Sequence, residues 1–191
     1  MRLFVALEIP SAVRDNLAAL IKELGTLETP SPGRKARWVR PANLHVTLKF
    51  IGEIPPAKLD AIRDALSTVR SEQPAYLRFR GLGFFPSEKR SRVLWASIEG
   101  PPNLVTLVGD IDERLETLGV ARERRPFTPH LTLARFEPPG ISEKLGARVR
   151  ENVTRDFGVL RTSEFHLIES KLEPSGAEYT TLQSFRFAAE A

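Results

Sequence analysis

Two short stretches hold the residues best suited to chemistry. HVTLKF (45–50) and HLTLARF (130–136) share the pattern His-x-Thr-Leu at a spacing of 85 residues, and they use two of the three histidines in the chain. Side chains alternate along an extended strand, so His45 and Thr47 share one face while Val46 and Leu48 take the other; His130 and Thr132 stand in the same relation to Leu131 and Leu133. The apolar pair can anchor each strand in a core. The imidazole and hydroxyl then face away from it, about 7 Å apart at Cα.

Two imidazoles and two hydroxyls across a shared cleft would suit phosphodiester chemistry. In-line displacement at phosphorus takes a proton from the attacking oxygen and gives one to the departing oxygen. Histidine can do both, because its ordinary pKa of about 6.5 populates acid and base forms near neutral pH. The threonine hydroxyls would donate to the non-bridging oxygens as charge develops there. The two motifs are too alike for the residues themselves to say which histidine is acid and which is base.

Basic stretches lie just before both motifs, GRKARWVR at 33–40 and ARERRPF at 121–127, in a chain with 28 Lys and Arg against 24 Asp and Glu. They are either solvated loops or a rim that attracts an anion. The chain has no cysteine, which removes thiolate nucleophiles, thiolate metal sites and disulfides, and no acidic cluster accompanies the motifs. The expectation is therefore a reaction without metal or cofactor. Two other readings use the same residues. A module could grip a phosphate with these residues without turning it over, or a zinc site could be built from His45, His130 and His166, although zinc gives no reason for a threonine two places after two of its ligands. His166 lacks that threonine and is read as structural.

The elements that must position these residues can be read in outline. LFVALEI (3–9) is a buried strand, followed by a helix over 11–25 with Ser11 as cap and Gly25 as stop. A Pro/Gly/basic loop, TPSPGRKA (29–36), leads to strands at 36–39 and 43–54 joined at Pro41-Ala42-Asn43. PPAKLDAIRDALSTVRS places Leu59, Ile62, Leu66 and Val69 on one side of a helix. Next come an antiparallel pair at 75–86 and 91–100, a helix over 103–119, the second motif strand, a helix over 141–152, and a closing hairpin of 157–174 with 177–187. Pro129 suits the start of the second motif strand.

This order predicts an α+β protein in a bilobal, duplicated arrangement, two antiparallel sheets facing a central cleft with helices outside, as one domain over 1–191. Glu8 and Pro10 interrupt the N-terminal apolar run before a secretory segment could form, and no stretch nears the roughly 18 apolar residues of a membrane span. A cytoplasmic monomer without membrane contact is the expectation.

The paired motifs with their contexts, RWVRPANLHVTLKFIGE and RPFTPHLTLARF, resemble the two-histidine phosphoesterase superfamily. Within it the chain is similar to the RNA 2′,3′-cyclic phosphodiesterases, the 2′-5′ RNA ligase-like family. LFVALEIP and ESKLEPSGAEYTTLQSFRF extend the likeness to nearly the whole chain. The resemblance implies hydrolysis of a terminal 2′,3′-cyclic phosphate on RNA ends or small cyclic nucleotides to a 2′-phosphate. It implies His45 as proton donor to the leaving oxygen and His130 as the base on water, with reversible 2′-5′ ligation as the neighbouring activity. It also assigns Phe50 and Arg135 to holding the nucleotide. Strict alternation argues against both, since it puts Phe50 with Val46 and Leu48 and Arg135 with Leu131 and Leu133; each needs a bulge or the strand's end to reach the cleft.

Overall fold

A computed structural model describes residues 1–28, 35–174 and 176–189. Apolar periodicity sets the helices: α1 (Ser11–Leu27) buries Val13, Leu17, Leu20, Ile21 and Leu24, and α2 (Leu59–Ser67) buries Ile62 and Leu66. Two details of α1 differ from the sequence expectation. Pro10, in extended geometry, occupies the cap position with no side-chain cap, and Ser11 is already helical. Gly25 does not stop the helix, which runs to Leu27. A methyl group at Gly25 would stand 3.8 Å from the Trp38 ring, an ordinary contact, so the helix tolerates this position without using it as a stop.

The remaining elements are β1 (Arg2–Glu8), β2 (Lys35–Trp38), β3 (His45–Glu53), β4 (Ala75–Phe85), β5 (Val93–Glu99), α3 (Pro102–Glu116), β6 (His130–Glu137), α4 (Glu143–Arg150), β7 (Asp156–Thr162), β8 (Glu164–Glu173) and β9 (Gly176–Arg186). They form two wholly antiparallel sheets, β3-β1-β8-β9 and β2-β6-β5-β4-β7. Helices α2 and α3 pack on the first sheet, and α1 and α4 on the second. The first motif strand is an edge of one sheet, and the second lies next to an edge of the other. Although they belong to different sheets, β3 and β6 approach within 8 Å at Cα.

The predicted duplication appears as an exchange of elements. The order strand, helix, motif strand, helix, strand is traversed by β1-α1-β3-α2-β4 and again by β5-α3-β6-α4-β8. Each sheet contains one motif strand, the strand that precedes it in its own repeat, and a third strand from the other repeat: β3-β1-β8 and β6-β5-β4. The first helix of each repeat also crosses to the opposite lobe. One contiguous core therefore runs through both lobes, from Leu3 to Ala188.

The closing segment departs from the predicted single hairpin. The chain breaks at Ser163, so that β7 joins β4 in the second sheet while β8 crosses to β1 in the first. The Thr162 hydroxyl donates to the Glu164 carbonyl at 3.0 Å and accepts from the Glu164 amide at 3.2 Å. A side chain that satisfies its neighbour's backbone in this way competes with the ladder and ends the strand.

Candidate active site

Each motif histidine is the first residue of its strand, and each is fixed by the same bond. His45 Nδ1 lies 2.7 Å from the Asn43 carbonyl and His130 Nδ1 lies 2.9 Å from the Thr128 carbonyl. A carbonyl can only accept, so both Nδ1 atoms carry hydrogen and the free lone pair of the neutral ring is on Nε2. Neither Nε2 is bonded among the described residues, and neither are the hydroxyls of Thr47 and Thr132. The loop before His45 is pinned in turn, because Asn43 Nδ2 donates to the Ala177 carbonyl of β9 at 2.7 Å.

The fate of Phe50 and Arg135 turns on strand phase. In β3, Thr47 faces Ala6 but Lys49 faces Val5, which leaves Leu48 as an extra residue. In β6, Thr132 faces Trp95 but Ala134 faces Leu94, which leaves Leu133 extra. The fourth residue of His-x-Thr-Leu is thus a bulge in both strands. A bulge inverts the alternation beyond it. Leu48 and Lys49 are both buried, as are Leu133 and Ala134. Phe50 and Arg135 consequently return to the histidine side, Phe50 being 63% exposed. Arg135 has no ion-pair partner among the described residues. The strict-alternation expectation is corrected at both positions.

Aromatic rings wall each histidine. The His45 ring lies 4.7 Å from Phe4 and 5.2 Å from Tyr179, and Phe4 is in turn 6.2 Å from Phe50. His130 meets Phe85 edge-on at 5.6 Å. Burial holds the His45 imidazolium below its ordinary pKa, partly offset by the bond to the Asn43 carbonyl. Sequence reasoning missed Phe4, Tyr179 and Phe85, which come from distant strands with no local signal.

It also missed Lys49. This side chain is 4% exposed, forms an ion pair with Asp112 of α3, and donates to the Ala121 carbonyl at 2.7 Å. A lysine is tolerated in such a place only when paired. The bond ties the first motif strand to the loop that leads to His130. Of the basic flanks, Gly33 and Arg34 fall outside the described residues. Arg37 pairs with Glu137 at 3.2 Å, and Arg122 pairs with Glu116 at 3.0 Å. The third histidine, His166, is buried, with Nδ1 2.8 Å from the Ser184 hydroxyl. Among the described residues no three His, Cys, Asp or Glu side chains converge where they could hold a metal ion, and no helix is long and apolar enough to cross a membrane.

Both the sequence and the fold are similar to those of known proteins. The chain is 35% identical over 185 residues to the RNA 2′,3′-cyclic phosphodiesterase of Archaeoglobus fulgidus, covering 97% of this chain and 99% of the other. Its fold matches the crystal structure of TT0787 of Thermus thermophilus with a TM-score of 0.76 and 32% identity over 98% of each chain. It matches E. coli LigT complexed with 3′-AMP with a TM-score of 0.72 and 26% identity over 97% of each. The model of the LigT like phosphoesterases fits residues 7–95 and 98–179, with one histidine motif in each stretch. The chain belongs to the LigT like phosphoesterase family.

Proposed function

We propose that this protein hydrolyses the 2′,3′-cyclic phosphate at the end of an RNA strand to a 2′-phosphomonoester, residues 1–191 acting as one catalytic unit. The observation that carries the reading is the matched pair of imidazoles, each with Nδ1 bonded to the carbonyl two residues back, Nε2 unbonded, and an unused threonine hydroxyl on the same strand face. The name of the Archaeoglobus relative and the nucleotide in the E. coli LigT complex point to the same substrate class.

In this mechanism His130 Nε2 takes a proton from water as its oxygen bonds to phosphorus. The bond from phosphorus to the 3′ oxygen breaks, and His45 Nε2 gives its proton to that oxygen. The 2′ ester remains. Thr47 and Thr132 donate to the non-bridging oxygens, where the five-coordinate arrangement gathers charge. Phe50 lies against the terminal base and Arg135 takes a phosphate, positions that both bulges make accessible. No step requires a metal ion. Because burial disfavours the charged form of His45, an anionic phosphate in the cleft is what restores its proton.

Product analysis of an oligonucleotide ending in a 2′,3′-cyclic phosphate tests the assignment. The wild type is expected to yield a 2′-phosphate in the presence of chelator. His45→Ala and His130→Ala should each fall by about 10²- to 10⁴-fold, and Thr47→Val or Thr132→Val by about 10²-fold or more in kcat. Tight binding of the oligonucleotide without product by the wild type would replace hydrolysis with a binding role.

A further inference from the structure

Phe85 and Trp95 lie on the His130 side of the site and have no task in the proposed reaction. Their rings stack at 5.0 Å with an interplanar angle of 24°. Trp95 faces Thr132 across one ladder and Gly83 across the next. A Cβ at Gly83 would stand 2.6 Å from the indole, so the absence of a side chain there is what lets the ring lie against the strand. Phe85 covers that ring from above, turns its edge to His130, and remains 38% exposed. Core packing does not account for it, since the core face of the same strands is filled by Leu82, Leu94 and Ala96.

We propose that the Phe85–Trp95 pair is a stacking subsite for the base next to the cyclic end, so that the enzyme reads at least two nucleotides. This rests on the hydrolase reading above, in which Phe50 on the opposite lobe takes the terminal base. Two exposed rings, Phe50 beside the Phe4 that packs on His45 and Phe85 beside His130, offer a base apiece a stacking partner. Stacking of this kind tolerates any base because every base has a π-face. Arg135 belongs to the same sheet as the Phe85–Trp95 platform. It faces Val93, which faces Phe85, placing the Arg135 and Phe85 Cα atoms two strand spacings or about 10 Å apart. An arginine without an ion-pair partner at that point suits the phosphate that joins the two nucleotides.

The test compares adenosine 2′,3′-cyclic phosphate with the adenosine dinucleotide bearing the same cyclic end. In the wild type kcat/KM should favour the dinucleotide by about ten-fold or more, mainly through KM. Phe85→Leu should lower that ratio about five-fold or more, leaving only what Arg135 gives through the joining phosphate, and Phe85→Tyr should retain it. A wild-type ratio near one, or a high ratio that survives Phe85→Leu, overturns the subsite. A readout independent of turnover uses the fact that the chain has two tryptophans. In a Trp38→Phe background, Trp95 fluorescence should respond to the dinucleotide 2′-phosphate at concentrations where adenosine 2′-phosphate has no effect. If neither cyclic substrate is hydrolysed, the hydrolase reading fails by itself and the Trp95 response decides the subsite; an equal response to both ligands overturns it.

Discussion

His45 and His130 share one hydrogen-bonding geometry but not one environment. His45 is packed between Phe4 and Tyr179, and burial depresses its pKa. A histidine depressed in the folded state binds protons more readily in the unfolded state. Its contribution to stability is therefore complete above about 6.5 and is lost as pH falls from there toward the depressed value. Urea unfolding between pH 5 and 8 should show stability declining on the acid side, and the decline should be shallower in His45→Asn. Equal slopes would show that His45 is not the titrating group. At this scale the motif residues were legible from the sequence, because a histidine and a threonine two places apart must share a strand face. Lys49 was not legible, since its partners on α3 and in the 121–129 loop are set by folding.

At the scale of elements, bulges decide which side chains enter the cleft. Strict alternation was a sound rule for residues 45–48 and 130–133 and failed one residue later, where Leu48 and Leu133 stand unmatched against β1 and β5. A bulge is a property of two strands, so neither motif could announce it alone. Another of the ladder irregularities lies in β4 between Phe79 and Leu82, where Gly81 takes φ +84°. Any Cβ there would stand 2.3 Å from the Val153 carbonyl oxygen, whereas Gly52, at φ +85°, has nothing within 4 Å. Gly52→Ala should cost only the left-handed backbone strain, about 1 kcal/mol. Gly81→Ala should cost clearly more, because backbone rather than a flexible side chain must yield. Denaturation midpoints of the two variants measure the difference; similar losses would mean that the Val153 segment adjusts freely.

At the scale of the whole molecule, the repeats exchange elements rather than stand apart. Helix α1 covers the second sheet and β4 completes it, while β8 from the far end of the chain completes the first. Residues 1–91 expressed alone should therefore fail to fold, lacking β5, β6 and β7 for α1 and β4 to pack on, and 92–189 should fail for the reciprocal reason. Co-expression is expected to restore a folded complex. Circular dichroism and proteolysis of the separate halves check this, and a protease-resistant half would contradict it. Period and turn chemistry made the helices and most strands legible, but nothing local told the segment 156–173 that its two ends belong to different sheets.

The sequence by itself determined the chemistry available and the secondary elements that bear it, because strand alternation, helical periodicity and the choice of histidine and threonine act over a few residues. Only the tertiary structure decided which strands pair, where the ladders slip by one residue, and which aromatic rings close around each imidazole. Those outcomes depend on partners from distant parts of the chain, and they become defined only when two sheets close over a shared core.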